Sequence, residues 1–429
     1  MDRDSRKGAR AEREARRYGA DTIEAGIREW VRDLIESIVE EELEATLGAR
    51  PSERVGCARQ GYRHGHRQRS LTTSLGATTI GMPRARLQQA DGSTTEWQSR
   101  TVRRYQRRTQ RVDEVVLGVY LSGANTRRVK GALAPLLRGG PLSKDAVSRL
   151  VGRLAEDFKR WRERDLAKDD VRYVFMDGWY PKVRLGKRRV RVPVLITLGV
   201  RCDGKRVVLD MQLAGDESTA AWRGVVEDLV RRHMGRPALA VIDGNPGLAA
   251  ALREQWPGLP IQRCTTHKLR NLEAKAPAHL REELAEDYRR MIYAKDREAV
   301  CAGRAAFRKK WQLRCPSVVE SLDEAGDDLF TFTAFPPSQW KALRTTNALE
   351  RVNQEFRRRT KTQASLPSQD AVLLLLFGLL RSGRITLRRL EGWKDMPAEA
   401  AQQDPKARTV NNVYRQRKAS NVANQRKAA

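Results

Sequence analysis

The sequence predicts an α/β protein in which a strand-bearing middle region is followed by a long helical stretch and preceded by mainly helical regions. Three observations predict it. β-branched and apolar residues cluster in three consecutive segments, Arg172 to Met176, Val190 to Val200 and Arg206 to Leu213. Helical and strand patterns then alternate as far as Ile261, and from Lys268 to about Lys341 only helical periodicity remains.

Taken in order, residues 1–50 form a helical region, because Ile27, Trp30, Val31, Leu34, Ile35, Ile38 and Val39 recur at amphipathic spacing between residues 9 and 48. Residues 51–111 are rich in Gly, Thr, Ser and Arg. Brief alternation at Leu71, Thr73 and Leu75, then at Thr79, Ile80 and Met82, predicts short strands or an extended basic arm. Residues 112–166 read as three helices broken at Ser122-Gly123-Ala124-Asn125 and Arg138-Gly139-Gly140-Pro141, with Ser143 as an N-cap. That layout suits a helix-turn-helix with Lys144, Ser148, Arg149 and Arg153 on the outer side of its last helix, or equally a three-helix connector with a solvated basic face.

The core opens at 167–267 with the three-segment meander. A helix follows from about Ser218 to His233, then a strand Leu239-Ala240-Val241-Ile242, a helix from Pro246 to Gln255, and a strand around Ile261. Three strands, then helix, strand, helix, strand is the element order of a ribonuclease H-like domain. Residues 268–341 form an all-helical insertion with Trp311 and Trp340 as packing anchors. Residues 342–400 complete the core with helices at Thr346 to Lys361 and Ser368 to Arg381, and 401–429 form a basic tail poor in apolar residues.

Lys and Arg number 83 against 53 Asp and Glu, a formal charge of +30 over 429 residues, which gives the chain a strong attraction for a polyanion. Nucleic acid is the first partner to consider, contacted through the amino-terminal regions. A membrane is excluded as a solvent: the longest apolar run, Val372 to Leu380, falls far short of the roughly 20 residues a bilayer requires. The start of the chain is charged, and the five cysteines are odd in number and scattered, so a cytoplasmic protein with reduced thiols is expected.

Two carboxylates stand where buried strands meet solvent. Asp177 ends Tyr173-Val174-Phe175-Met176 and precedes Gly178; Asp243 ends Leu239-Ala240-Val241-Ile242 and precedes Gly244-Asn245-Pro246. An aspartate there is often only a turn former, but two on neighbouring strands can hold divalent cations for phosphodiester chemistry, which needs hard oxygen ligands. Glu350 lies on a basic helix with Asn353 and Gln354 on its face, and Arg351, Arg357, Arg358, Arg359 and Lys361 following. By itself it reads as a salt-bridge partner.

These residues carry a resemblance. Asp177-Gly178-Trp179-Tyr180 with Lys182 and Arg184, Asp243-Gly244 with Gly247-Leu248, Gln262-Arg263-Cys264-Thr265-Thr266-His267 with Arg270-Asn271, and Thr345-Thr346-Asn347 with Glu350-Arg351 and Asn353 resemble, in order and spacing, the Mutator-type bacterial insertion-sequence transposases (the insertion-sequence-256 group). Gly61-Tyr62-Arg63 and Pro83-Arg84-Ala85-Arg86 extend the likeness upstream, and His64 departs from it where members often carry Asn. The resemblance implies a ribonuclease H-like catalytic core with an all-helical insertion. It assigns Asp177, Asp243 and Glu350 as a catalytic triad binding two Mg²⁺ ions, with Mn²⁺ as substitute. The implied substrates are the element's double-stranded terminal inverted repeats and a target duplex, joined by attack of a free 3′-hydroxyl without a covalent protein–DNA intermediate. Bringing two ends together implies a homodimer or higher oligomer.

Around the triad, Arg351 and Arg358 join Lys144, Ser148, Arg149 and Arg153 as candidate nucleic-acid contacts. Cys264 and His267 could supply half of a zinc site, but His279, Cys301 and Cys315 lack ligand spacing. Zinc is therefore not expected, and the pair is read, with Arg270, Asn271 and Asn347, as structural or substrate-contacting. A metal at Cys57, His64 and His66 is expected still less. Asp216 and Glu217 read as acids favoured by a helix amino terminus, Trp179 and Trp222 as core residues, and Asp210 can face either way. A DNA-binding regulator that has lost its chemistry, or a junction nuclease of the same fold, remain the alternatives to a transposase.

Overall fold

The computed structural model describes residues 22–53, 60–122, 126–137, 142–185, 188–215, 217–362, 368–383 and 385–396. Cys57, Asp216, the turns expected at 123–125 and 138–141, the part of the first helix before residue 22 and the basic tail lie outside them. The chain divides into two compact units, Met1–Glu156 with Thr362–Ala364, and Asp157–Lys361 with Ser365–Ala429.

In the first unit, helix α1 (Thr22–Leu47) packs on an antiparallel sheet of β1 (Gly61–Thr73), β2 (Gly76–Gln88) and β3 (Thr94–Glu96). Val39, Leu43 and Leu47 meet Leu71, Ile80, Met82, Ala85 and Trp97, and Glu36 accepts the Gly81 amide at 2.7 Å. β1 and β2 are longer than the alternation suggests because the polar run from Arg63 to Ser70 hides the period-two pattern. Their register sets Tyr62 opposite Arg86 and Arg63 opposite Ala85, so the two upstream motifs are cross-strand neighbours. Pro83 sits beside the register shift between Arg63 and His66, where a missing ladder donor is tolerated.

Four helices follow: α2 (Gln110–Leu121), α3 (Thr126–Ala132), α4 (Ala134–Leu137) and α5 (Lys144–Arg162). The expected middle helix is split at Leu133, just ahead of Pro135, which has no N–H to continue it. Ser143 caps α5 by accepting the Ala146 amide at 3.1 Å. That helix buries Ala146, Val147, Leu150 and Leu154 and leaves Lys144, Ser148, Arg149 and Arg153 exposed, with Arg153 paired to Asp113 at 2.9 Å.

The second unit is built on β4 (Val171–Trp179), β5 (Lys182–Leu185), β6 (Arg188–Arg191), β7 (Val194–Arg201), β8 (Arg206–Leu213), α6 (Thr219–Arg231), β9 (Leu239–Ile242), α7 (Pro246–Gln255) and β10 (Ile261–Arg263). Its main sheet runs β10-β9-β4-β7-β8. β4, β7 and β8 form the antiparallel meander, while β9 lies parallel to β4 and β10 parallel to β9. Parallel neighbours need crossovers, which α6 and α7 supply. Trp222, Val225, Leu229, Leu248 and Leu252 of these helices pack on Val174, Met176, Ala240 and Ile242. The stretch Val190 to Val200, expected as one segment, is divided at Pro193, and its first part pairs with β5 as a separate hairpin.

Beyond β10 come α8 (Thr265–Lys275), α9 (Arg281–Ile292), α10 (Arg297–Arg314) and α11 (Pro316–Glu324), and residues 268–341, all described, contain no strand. Trp311 is fully buried in this helical core and donates to Asp287 at 3.1 Å; Trp340 opens α12 (Trp340–Leu343) and donates to the Phe335 carbonyl at 2.7 Å. α13 (Asn347–Thr362) and the buried α14 (Asp370–Arg381) follow. No helix among the described residues is long and apolar enough to cross a membrane.

Candidate active site

The site starts from a register. Met176 of β4 lies beside Ile242 of β9 in a parallel pair, and Asp243 follows where β9 ends. Asp177, expected where its strand meets solvent, instead stays inside β4, which continues to Trp179 because it remains paired with β7 through Asp177 and Ile196. Gly244, at φ +106°, turns the chain, and a Cβ there would meet the Arg263 guanidinium at 2.8 Å. Asn245 then caps α7 by accepting the Leu248 amide at 3.1 Å, while its own amide donates to Asp243 Oδ1 at 2.8 Å. Asp177 is buried and Asp243 half-buried. Burial, followed by the Asp243 charge, pushes the Asp177 carboxyl up to about 7.

Glu350 comes to the same end of the sheet on α13. Leu349, Val352, Asn353 and Phe356 turn inward, and Phe356 packs on Trp179 with ring centroids 5.7 Å apart, which ties this helix to the end of β4. Glu350 is half-buried, 4.0 Å from His267 Nε2 and 3.5 Å from Arg270 Nη1. His267, on α8, thus lies near Glu350 and also feels the charges of Asp177 and Asp243. Its Nδ1 is buried without a well-aligned hydrogen bond, yet the Cys264 thiol beside the ring is the largest influence on it. That thiol holds the imidazole up to about 9 against the opposing effect of burial, and the two aspartates add to the rise. Burial works against ionisation of Cys264, but hydrogen bonds from His267 and Thr346 outweigh it and draw the thiol below its ordinary value.

The structure therefore gathers Asp177, Asp243, Glu350, Cys264, His267 and Arg270 at one end of the sheet, with Asn347 exposed at the start of α13 and Asn271 exposed on α8. Arg351 and Arg358 are exposed along α13, Arg358 paired with Glu355 at 2.7 Å. Among the described residues, no three or more His, Cys, Asp or Glu side chains are arranged as a ready-made metal cage. Cys301 and His279 are exposed, and Cys315 is packed in the helical core, its sulfur 3.4 Å from Ser317 Oγ.

Two readings change. Glu217 is not an N-cap acid, because Ser218 takes that role by accepting the Ala221 amide at 3.3 Å. The Glu217 carboxylate instead lies over Gly178, where a Cβ would come within 1.7 Å of Oε1, and accepts from Asn245 Nδ2 at 3.1 Å. It is a fourth carboxylate beside Asp177, and the glycine after that aspartate is the one sequence feature that marks the space. Asp210 faces neither solvent nor site: it is buried against Arg232 at 3.4 Å and accepts from Gln212 at 2.6 Å. Trp179 and Trp222 are both buried in the core. Gln262 is a structural residue that sequence alone leaves without a role. Fully buried, it donates to the Leu329 carbonyl at 2.8 Å and accepts the Phe332 amide at 2.7 Å, fastening the helical region to the sheet.

Against known proteins, the model of the family described as "Transposase, Mutator family" matches residues 4–385. The chain belongs to this family. Among its relatives, the transposase for insertion sequence element IS406 of Burkholderia multivorans is 35% identical over 359 residues, 83% of this chain and 89% of that protein. The transposase for ISRM5 of Rhizobium meliloti is 32% identical, covering 82% of this chain and 86% of its own. The transposase for IS256 in transposon Tn4001 of Staphylococcus aureus is 30% identical over 75% of this chain and 81% of its own. The match to the Mutator family takes in both the amino-terminal motifs and every residue of this site.

Proposed function

We infer that this chain is a DNA transposase that binds the double-stranded terminal inverted repeats of its own element and cleaves and joins strands with Asp177, Asp243 and Glu350. The observation that carries this reading is the β4–β9 register, which brings Asp177, within β4, next to Asp243, just past the end of β9, while Glu350 reaches His267, whose ring feels both aspartates. The strand order, with an antiparallel meander on one side of β4 and two parallel strands on the other, supports a ribonuclease H-like core. The relatives are named as transposases of insertion sequences, which supports the substrate class.

The donor set suits Mg²⁺, with Mn²⁺ as substitute: carboxylate oxygens are hard ligands, and Asp177 is buried beside a second acid, a concentration of negative charge that a cation relieves. Two such ions, when bound, lower the pKa of an attacking water or hydroxyl and neutralise charge on the transferring phosphate. The chain's own part is to hold Asp177 and Asp243 rigidly on paired strands, to bring Glu350 alongside on a helix anchored by Phe356, and to present Arg270 at the rim within reach of a phosphate oxygen. Because the reaction joins two ends, the working form is at least a homodimer.

Asp177→Asn and Asp243→Asn test this reading. Each removes a ligand and no phosphate contact, so cleavage and joining of inverted-repeat DNA should vanish while affinity for that DNA stays near wild type. Retained cleavage in either variant would overturn the assignment.

A further inference from the structure

We propose that Cys264 is a positioning residue that fixes the helix of Glu350 relative to the strand of Asp243. The proposal rests on the assignment of the three acids as the catalytic triad. Cys264 sits at the junction of β10 and α8 and holds on in two directions. Its backbone N–H donates to the carbonyl of Ile242 at 2.7 Å, the residue immediately before Asp243. Its sulfur accepts both the backbone N–H and the side-chain hydroxyl of Thr346, each at 3.4 Å. Cys264 and Thr346 are both fully buried, at 1% and 0% exposure, so water cannot replace either partner.

Thr346 is the N-cap of α13. Its carbonyl accepts the amides of Leu349 at 2.9 Å and of Glu350 itself at 3.1 Å. A threonine at that position ordinarily turns its hydroxyl onto its own helix. Here the hydroxyl is given to the sulfur, so the cap is tied across the fold rather than along the helix. Thr265 reinforces the tie: its amide and hydroxyl both donate to the Arg344 carbonyl, at 2.9 and 3.0 Å, and Tyr288 donates to the Thr265 carbonyl at 2.9 Å. One residue therefore connects the strand that ends in Asp243 to the turn that starts the Glu350 helix. These acids are far apart in sequence, and nothing local sets their spacing.

A sulfur in this place could also act only as a small apolar filler, the ordinary use of a buried free cysteine. The two roles separate by substitution. Cys264→Ser keeps an acceptor, and Cys264→Val keeps apolar bulk without one. Full-length protein is assayed for cleavage of inverted-repeat DNA across a Mg²⁺ titration, with DNA affinity and thermal melting measured on the same samples. For the valine variant the expected result is a half-saturating Mg²⁺ concentration raised by about tenfold or more, the usual effect of losing a group that orients a metal ligand, with unchanged DNA affinity. Serine should restore most of the wild-type metal response. Thr346→Val, which removes the hydroxyl from the other side, should move the metal response in the same direction, and combining it with Cys264→Val should add little because both act on one contact.

The proposal is overturned if Cys264→Val titrates with Mg²⁺ like wild type, or if serine is as defective as valine. Should both cysteine variants fail to fold, a folded Thr346→Val with a wild-type metal response overturns it equally. Asp177→Asn, run in parallel, separates the triad from its positioning. Activity in that variant removes the triad itself, whereas an inactive Asp177→Asn beside a normal Cys264→Val removes only the positioning role.

Discussion

Glu217 lies across Gly178, its carboxylate occupying the place where any side chain at that position would begin. The obstructing atoms are the far end of a flexible side chain, so Gly178→Ala should displace Glu217 rather than distort β4. The expected outcome is a stability loss of about 1 kcal/mol or less, within the range of a tolerated small-to-large change. Asn245 would at the same time lose its 3.1 Å contact to Glu217, and Asn245 also donates to Asp243. Strand cleavage in Gly178→Ala should therefore fall by the same factor as in Glu217→Ala, which removes the same acceptor. A double variant no worse than either single one, measured by cleavage rate at fixed Mg²⁺, checks that both act through loss of the one contact between Glu217 and Asn245.

Gly61 makes the opposite case. Its missing Cβ would stand 2.1 Å from the Arg86 carbonyl oxygen, a backbone atom held in the β1–β2 ladder that cannot swing aside. Gly61→Ala should destabilise the first unit by about 1–3 kcal/mol or more, the cost of forced overpacking. Denaturant unfolding followed at Trp97, buried in that core, reads the change. A midpoint equal to wild type would mean that the strands slide apart at no cost.

These two glycines show the limit of what is legible in the sequence, since a glycine can mark a space without naming the group that fills it. An aspartate that closes an apolar run is legible, because a charge there is costly to desolvate and stands out against the pattern; Asp177 and Asp243 are visible in that way, although β4 runs two residues past Asp177 and only Asp243 follows a strand end. Glu350 is not, since a glutamate among arginines looks like a surface ion-pair partner; the family pattern singles it out, and only folding shows it beside His267. The capping argument misplaces the Glu217 side chain because it is local: Ser218 takes the cap, and the Glu217 carboxylate lies over Gly178, a residue that adjoins it only in space. The division of Val190 to Val200 is signalled by Pro193, but its apolar flanks conceal the break. Contacts such as Cys264 to Thr346, 82 positions apart, leave no periodic trace at all.

The ion pairs joining β10 and α8 to the end of α11 give the fold a defined acid response. Hydrogen bonds from Arg263 and Lys268 draw the Glu324 carboxyl down to about 2 from an ordinary 4.5. A depressed folded-state pKa contributes stability that is fully present above the unfolded value and is lost as pH falls toward the folded one. Glu324→Gln should therefore be less stable than wild type at neutral pH, and the difference should shrink between about pH 4.5 and pH 2. Glu324 is largely exposed, so the effect is small, and the decisive measurement is the pH dependence of the difference in melting temperature. A difference that stays constant down to pH 2 would exclude the ion pairs as its source.

Binding to DNA should be dominated by phosphate neutralisation, because the chain carries +30 and helix α5 exposes Lys144, Arg149 and Arg153 outside its buried apolar stripe. Each phosphate contact releases condensed counterions and adds about 0.9 to the slope of log affinity against log salt concentration. Replacing both Lys144 and Arg149 by Ala should thus lower that slope by about 2 if each meets a phosphate, and should weaken specific and unrelated duplexes alike. Arg153 differs, since its guanidinium already pairs with Asp113 at 2.9 Å and Arg108 shares the same carboxylate group at 2.7 Å. Arg153→Ala should change the slope by less than either of the other two, and Asp113→Asn, by freeing both arginines, should tighten binding at low salt. Affinities measured by fluorescence anisotropy over a salt series distinguish the cases, and an unchanged slope in the Lys144 and Arg149 double variant would remove α5 from the DNA-binding surface.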